Sequence, residues 1–362
     1  MLRRLRQHPW SRRVGAGAGR AGRQASLRLL DRVLPVSENV EASALRDVRR
    51  ILVVRPNFRI GNTLMAGPIV LALRARFPEA RIDYLGGDTT AGLLAHLPLD
   101  RVHSVSRRHV VRPWRFVALF VRLRRERYDL AVEGGLGSFS GGLYAYLTGA
   151  RNRLGCAGKG DRFLTVRLAP ISTPHAYDGA VELARRLGVE CPDRPVYRVS
   201  ELGVKTAAAL LAESGLVHEG RVAPFVVLFV GGHEGKRWPA ELWVDLAQRL
   251  CRTGLRVLVA VGPEETSAID GLRAALPAEA KLMSPHPLDV FAGVLAAAAL
   301  VVTPDSGPMH LAVALATPTI ALLLSERSQM YAPRGVSDRS LLRPSAAEVA
   351  AAVLEHPAVR GA

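Results

Sequence analysis

Val302-Thr303-Pro304-Asp305-Ser306-Gly307-Pro308-Met309-His310-Leu311-Ala312 reads as a buried strand, a small polar turn and the start of a helix. The strand run ends at Thr303 and the helix opens near Ser306. Ser306 suits an N-cap, and Pro308 falls in the first turn, where its missing N–H matters little. Gly307 leaves the backbone uncovered. Unpaired amides at a helix start, aligned with the helix dipole, make an anion site, and His310 lies one turn in, within reach of the same anion. An ordinary strand–turn–helix corner explains the same residues, so this stretch alone fixes a βα unit and leaves the ligand open.

Working outward, the same unit repeats. Short β-branched or leucine-rich runs at Ile51–Val54, Arg81–Leu85, Val102–Val105 and Asp129–Glu133 alternate with helical stretches. A second series follows at Phe225–Val230, Arg256–Val261, Leu300–Thr303 and Thr319–Leu323. Strands alternating with helices predict parallel sheets. The expected architecture is therefore α/β, with two Rossmann-like domains facing across a cleft, because ligands in open α/β sheets bind at the carboxyl ends of the strands. The expected division is a basic tail over residues 1–48, an N-terminal domain over 49–190 and a connecting segment over 191–222 with a helix from Glu201 to Ser214. A C-terminal domain over 223–343 and a C-terminal helix and tail over 344–362 complete the chain.

Three further corners carry chemistry. Val230-Gly231-Gly232-His233-Glu234-Gly235-Lys236-Arg237-Trp238-Pro239 follows the first strand of the second domain. Its glycines permit close backbone approach to a ligand, and Lys236 and Arg237 supply charge for a diphosphate. The competing reading is a glycine-rich turn with solvated basic residues and Trp238 in the core. Val261-Gly262-Pro263-Glu264-Glu265 ends the next strand, where a carboxylate accepts ribose hydroxyls in other nucleotide folds; surface acids in a first helical turn read the same way. Arg55-Pro56-Asn57-Phe58-Arg59-Ile60-Gly61-Asn62-Thr63-Leu64 is the matching corner of the first domain.

Taken together, Arg55-Pro56, Ile60-Gly61-Asn62, Lys236-Arg237-Trp238-Pro239 and Asp305-Ser306-Gly307-Pro308-Met309-His310-Leu311-Ala312 resemble glycosyltransferase family nine, the ADP-heptose:lipopolysaccharide heptosyltransferases, in order and spacing from about residue 50 to 343. The resemblance implies a GT-B fold, with acceptor on the N-terminal domain and nucleotide sugar on the C-terminal one. It also implies an inverting, metal-independent transfer that needs no cofactor. By position, Lys236 contacts the donor diphosphate together with Arg237, Ser306, Gly307 and His310. Asp305 orients the donor loop or the sugar, Glu264 contacts ribose, and Met283 falls near the adenine. Arg59, Gly61 and Asn62 fall on the acceptor side, and Asn62, Asp305 and Lys236 are the candidate catalytic residues. One departure stands out: the family carries an acid, its proposed general base, where this chain has Asn62, and an amide does not accept a proton at neutral pH. Either another carboxylate, Asp88 or Glu133, takes the role, or the chain binds its donor and turns over slowly or not at all.

Composition narrows the partners. The formal net charge is +17, and all but four of the 49 basic residues are arginine. Arginine suits bidentate phosphate and carboxylate recognition, so a polyanionic partner is expected: a phosphorylated small molecule, an anionic membrane or a nucleic acid. Aromatic content of only 6% lacks the stacking platforms of a nucleic-acid binder. Residues 1–48 are arginine-rich, and Leu27–Leu34 has the pattern of a short amphipathic helix, read either as an anchor on anionic lipid or as a solvated tail. Cys156, Cys191 and Cys251 show no pairing or metal spacing, and no run of about 18 apolar residues marks a membrane span. A protein on the cytoplasmic side is expected, with a nucleotide sugar and a lipid-linked or oligosaccharide acceptor as its partners.

Overall fold

The computed structural model describes residues 40–41, 45, 47–110, 112–232 and 235–360. The arginine-rich segment up to residue 39, with the amphipathic helix expected around Leu27–Leu34, lies outside the described residues, as do His233 and Glu234.

Six strands form the first sheet: β1 (Arg50–Arg55), β2 (Arg81–Gly87), β3 (Arg101–Val105), β4 (Leu130–Glu133), β5 (Asn152–Cys156) and β6 (Val166–Leu168). A small antiparallel hairpin, β7 (Val217–His218) and β8 (Arg221–Val222), follows. The second sheet comprises β9 (Phe225–Val230), β10 (Arg256–Val261), β11 (Lys281–Met283), β12 (Leu300–Pro304), β13 (Thr319–Leu323) and β14 (Arg339–Leu342). The sheet orders are β3-β2-β1-β4-β5-β6 and β11-β10-β9-β12-β13-β14, with every pairing inside both sheets parallel. Each sheet thus has the doubly wound order, whose direction reverses between β1 and β4 in one and between β9 and β12 in the other. A crevice opens at the carboxyl ends of the strands flanking each reversal. The α/β architecture with two parallel sheets expected from the sequence is present.

Central parallel strands are covered on both faces and read as unbroken apolar runs. Ile51 to Val54 and all of β9 are accordingly buried. Helices pack both faces of each sheet into separate apolar clusters. Leu64 and Leu93 of the first half join the cluster around Phe225, Phe229 and Phe291 of the second, so the halves share apolar surface.

The segments outside the two predicted domains complete the second half. Ser200 caps the Glu201–Glu213 helix by accepting the Gly203 N–H at 2.9 Å. That helix packs on Leu288–Ala297, with Gly203 against Asp289. Near the C-terminus, Ser345 and Glu348 form a capping box for the Ala346–Leu354 helix, which packs on the Ala240–Cys251 helix. Among the described residues no helix is long and apolar enough to cross a membrane.

Candidate active site

In the second half, β12 ends at Pro304 and delivers Asp305 and Ser306 to the crevice. Ser306 occupies the N-cap of the Gly307–Ala314 helix with extended backbone (φ −146°, ψ 177°), yet its side chain makes no capping hydrogen bond. Its hydroxyl sits instead 3.3 Å from the Thr303 hydroxyl. First-turn amides of a helix have no intrahelical acceptor, and here the N-cap side chain does not supply one. The expectation that Ser306 caps this helix is corrected to that extent.

The glycine-rich loop after β9 brings Lys236 to the same place. Its ammonium hydrogen-bonds the Asp305 carboxylate, and it lies 5.9 Å from the centroid of the Tyr331 ring. The Asp305 side chain is only 4% exposed, whereas that of Lys236 is 41% exposed, so the cation keeps a free face toward solvent. Arg237 is differently employed. Its Nε donates to the Gly232 carbonyl at 2.6 Å and its Nη2 to Glu265 at 3.1 Å, while the Gly232 amide also donates to that carboxylate. Arg237 and Glu265 therefore brace the loop, and Gly232, with φ +145°, supplies a turn that a side chain would strain. Glu265 is buried and Glu264 exposed, so the first of the two acids faces outward and the second holds the loop. Trp238 takes its core reading: it is buried edge-on against Trp243 and donates to the Pro344 carbonyl at 3.2 Å. Met283 ends β11 inside the apolar cluster of Phe229 and Phe291.

The first half meets this site through two glycines. A Cβ on Gly61 would lie 2.2 Å from Cδ2 of His310, and one on Gly307 would lie 3.1 Å from Cβ of Ile60. The missing Cβ at Gly61 lets the Ile60–Leu64 helix rest on the start of the Gly307–Ala314 helix, and a Cβ at position 307 would be tight against Ile60. Asn62, half-buried, follows Gly61 directly, and its backbone carbonyl accepts from Nε of Arg55 at 3.3 Å. Arg59 is exposed at the N-cap of the same short helix. Gly61, Asn62, Lys236, Asp305, Ser306, Gly307 and His310 are thus brought to the junction of the halves.

The two carboxylates suggested as substitutes for the missing acid fare differently. Glu133 ends β4 and is buried; its oxygens accept the Gly135 amide at 2.6 Å and the Gly137 amide at 2.7 Å. Burial pushes its carboxyl above the usual range, against the Gly137 amide, the Arg55 charge and the Gly135 amide. Gly141 leaves no room for a Cβ beside it, with 2.3 Å from that position to Oε1. So enclosed, Glu133 holds its own loop together. Asp88 is exposed after β2, one strand outward from β1, and lines a cavity with Arg108, Arg112 and Arg115.

Residues between the sheets complete the junction. The Tyr177 hydroxyl lies 2.8 Å from Nδ1 of His310, His175 reaches the Ala332 carbonyl at 2.8 Å, and Arg334 pairs with Asp178 at 2.5 Å. None of these carries a local sequence signal. Burial depresses the His310 pKa to about 4, opposed by the nearby charge of Asp305, and burial also keeps the Tyr177 phenol protonated. His310 is neutral at pH 7. Between its unfolded pKa near 6.5 and about 4 the unfolded chain binds the extra proton, so this residue's contribution to stability falls as pH falls through that window. Chemical denaturation of wild type and His310→Gln at pH 7, 6, 5 and 4.5 should show a shallower decline in the variant, with the difference on the order of 3 kcal/mol across the window. Parallel declines would show that His310 does not titrate there.

Residues 116–352 match the family model described as glycosyltransferase family 9 (heptosyltransferase). The chain belongs to glycosyltransferase family 9. The relatives agree with this assignment. Lipopolysaccharide heptosyltransferase 2 of Escherichia coli K12 is 26% identical over 299 residues, covering 75% of this chain and 82% of its own. Lipopolysaccharide heptosyltransferase 1 of Pseudomonas aeruginosa is 32% identical over 145 residues, 40% of this chain and 39% of its own. Among solved structures, the Escherichia coli ADP-heptose heptosyltransferase II superposes with a TM-score of 0.64 at 23% identity, covering 81% of this chain and 90% of that one. A family 9 glycosyltransferase from Veillonella parvula gives 0.69 at 18% identity, covering 89% and 94%. This family 9 transferase therefore has the GT-B architecture that its motifs implied. Its Asn62 corner lies before the stretch matched by the family model.

Proposed function

We propose that this glycosyltransferase moves a heptose from ADP-heptose to a lipopolysaccharide-core acceptor, with inversion. One observation carries the reading: an uncapped helix start at Ser306-Gly307 stands beside a half-exposed Lys236 held on a buried Asp305. Amides and ammonium together make a site for a diphosphate. The choice of sugar rests on the relatives' names and on two solved structures of one Escherichia coli heptosyltransferase, with ADP and with ADP-2-deoxy-2-fluoro heptose, which share this fold at TM-scores of 0.68 and 0.65.

In this reading the acceptor hydroxyl attacks the anomeric carbon from the face opposite the diphosphate. The carbon–oxygen bond to the diphosphate breaks, and the hydroxyl proton passes to solvent or to a base. Negative charge growing on the departing diphosphate is met by Lys236 and by the amides after Ser306. Such preorganised donors speed the reaction only insofar as they bind the transition state more strongly than the ground state. Asn62 favours a second element: with an amide where the family carries its acid, donor binding is retained while transfer is slow.

Thermal unfolding in the presence of ADP-, UDP- and GDP-sugars tests the donor. A ligand at 100 times its Kd stabilises the fold by about 2.7 kcal/mol. The ADP-sugar should raise the melting temperature and the others should not. Protection by a UDP- or GDP-sugar alone would overturn the choice of nucleotide.

A further inference from the structure

The helix Pro113–Arg125 has two apolar faces, and the fold uses one. Leu119, Phe120 and Leu123 are buried against the first sheet, and Phe116 stacks at 4.7 Å from Phe120 and 5.5 Å from Tyr144. On the solvent side stand Trp114, Val117 and Val121, exposed by 64%, 59% and 43%. Their spacing of three and four places them along one stripe of the helix surface. Exposed arginines border that stripe: Arg112, Arg115, Arg122 and Arg125. The helix itself carries no acid; Glu126, at its C-cap, is paired with Arg81 and Arg101 at 3.0 and 3.1 Å. Positive charge continues beyond the N-terminal end into a cavity of about 250 Å³ lined by Arg108, His109, Arg112 and Arg115 together with Asp88 and Ser106.

We propose that this face docks on an anionic phospholipid bilayer, with the helix lying in the plane of the interface. A solvent-facing apolar stripe edged by cations is the pattern of an interfacial helix, whose apolar side chains enter the headgroup–acyl boundary. Trp114, with an apolar ring and a single N–H donor, suits that boundary, and the arginine stems reach along it while their guanidinium groups meet phosphates. The charge complement is a lipid phosphate: no uncompensated carboxylate on the helix opposes it. This surface belongs to the folded N-terminal half and is separate from any role of residues 1–48. It also stands apart from the sugar-transfer reading, since binding to vesicles requires neither donor nor acceptor.

The test uses the full chain carrying Trp10→Phe, which leaves Trp114 as the exposed indole, because Trp238 and Trp243 are 4% and 1% exposed. Vesicles of phosphatidylglycerol and phosphatidylethanolamine are added at about 0.5 M salt, where long-range attraction by an arginine-rich tail is largely screened. Trp114 emission should shift to the blue and be quenched by lipids brominated in the acyl chain. In the same background, Trp114→Ser/Val117→Ser/Val121→Ser should weaken co-sedimentation by about 10²-fold, the order expected when three half-immersed apolar side chains are lost. Its melting temperature and protection by ADP-sugar should match the parent. Unquenched Trp114, or co-sedimentation unchanged by the triple substitution, would overturn the proposal. So would a parent that light scattering shows to be dimeric, becoming monomeric on substitution with vesicle binding intact; the stripe would then be a self-association face.

Discussion

Replacing Asn62 by aspartate should raise the turnover of sugar transfer by about 10²-fold or more, the usual contribution of a positioned general base. The hypothesis rests on placement. Asn62 follows Gly61, whose missing side chain lets its helix rest on His310 beside Asp305 and Ser306. Its carbonyl is fixed by Arg55, so the position is held rather than loose. A carboxylate at this helix start is favoured by the helix dipole and can take the acceptor's proton, which an amide cannot. Glu133 is a poor substitute because backbone amides occupy its oxygens and glycines close around it. The buried His310, with its pKa near 4, is a weak base. Transfer assays with matched donor and acceptor on wild type, Asn62→Asp, Asp88→Asn and Glu133→Gln decide the matter. A folded Glu133→Gln or Asp88→Asn protein without activity, alongside an Asn62→Asp protein no faster than wild type, would assign the base to that carboxylate.

The second large effect is expected at the donor loop. Lys236→Ala should weaken nucleotide-sugar binding between ten- and a hundred-fold, since a charge-assisted hydrogen bond contributes about 1.5–3 kcal/mol. The truncation removes the ammonium and also uncovers the buried charge of Asp305, which then repels the diphosphate. The double variant Lys236→Ala/Asp305→Asn should therefore bind donor more tightly than Lys236→Ala alone. Because the Lys236 side chain is 41% exposed, the melting temperature should fall by only a few degrees. Calorimetric titration that finds the single variant's affinity unchanged would remove Lys236 from the donor site.

Much of this was legible because long buried strands carry unbroken apolar runs. All eight predicted strands appear, within a residue or two at their ends. Besides the two-residue strands of the β7–β8 hairpin, the strands that escaped, β5, β6, β11 and β14, lie toward the sheet edges and are three to five residues long, with arginine, lysine, asparagine or serine where the inner strands are apolar. Their pairing comes from the neighbouring strand rather than from their own composition. The glycine-rich corner with Lys236 was legible because glycines, a proline and charges cluster within a few residues. Which of Glu264 and Glu265 turns inward was not, since a 3₁₀ turn over Pro263–Ala268 sets it. Arg237 was read as a diphosphate ligand on charge alone, and its partner Glu265 lies 28 residues away. Tyr177 reaches His310 only after the two halves have packed, and Tyr331 reaches Lys236 from a distant loop of the second half.

The glycine contact between the halves also has a mechanical meaning. Any rotation of one half on the other that preserves the touch of Gly61 on His310 must pass its axis close to that touch. Points beside an axis scarcely travel, whereas points far from it sweep wide arcs. Asn62, Asp305 and Ser306 sit beside that touch and would keep their spacing under such a turn. The outer walls of the cleft would be the long arms of such a lever, where a given angle of turn makes the largest displacement.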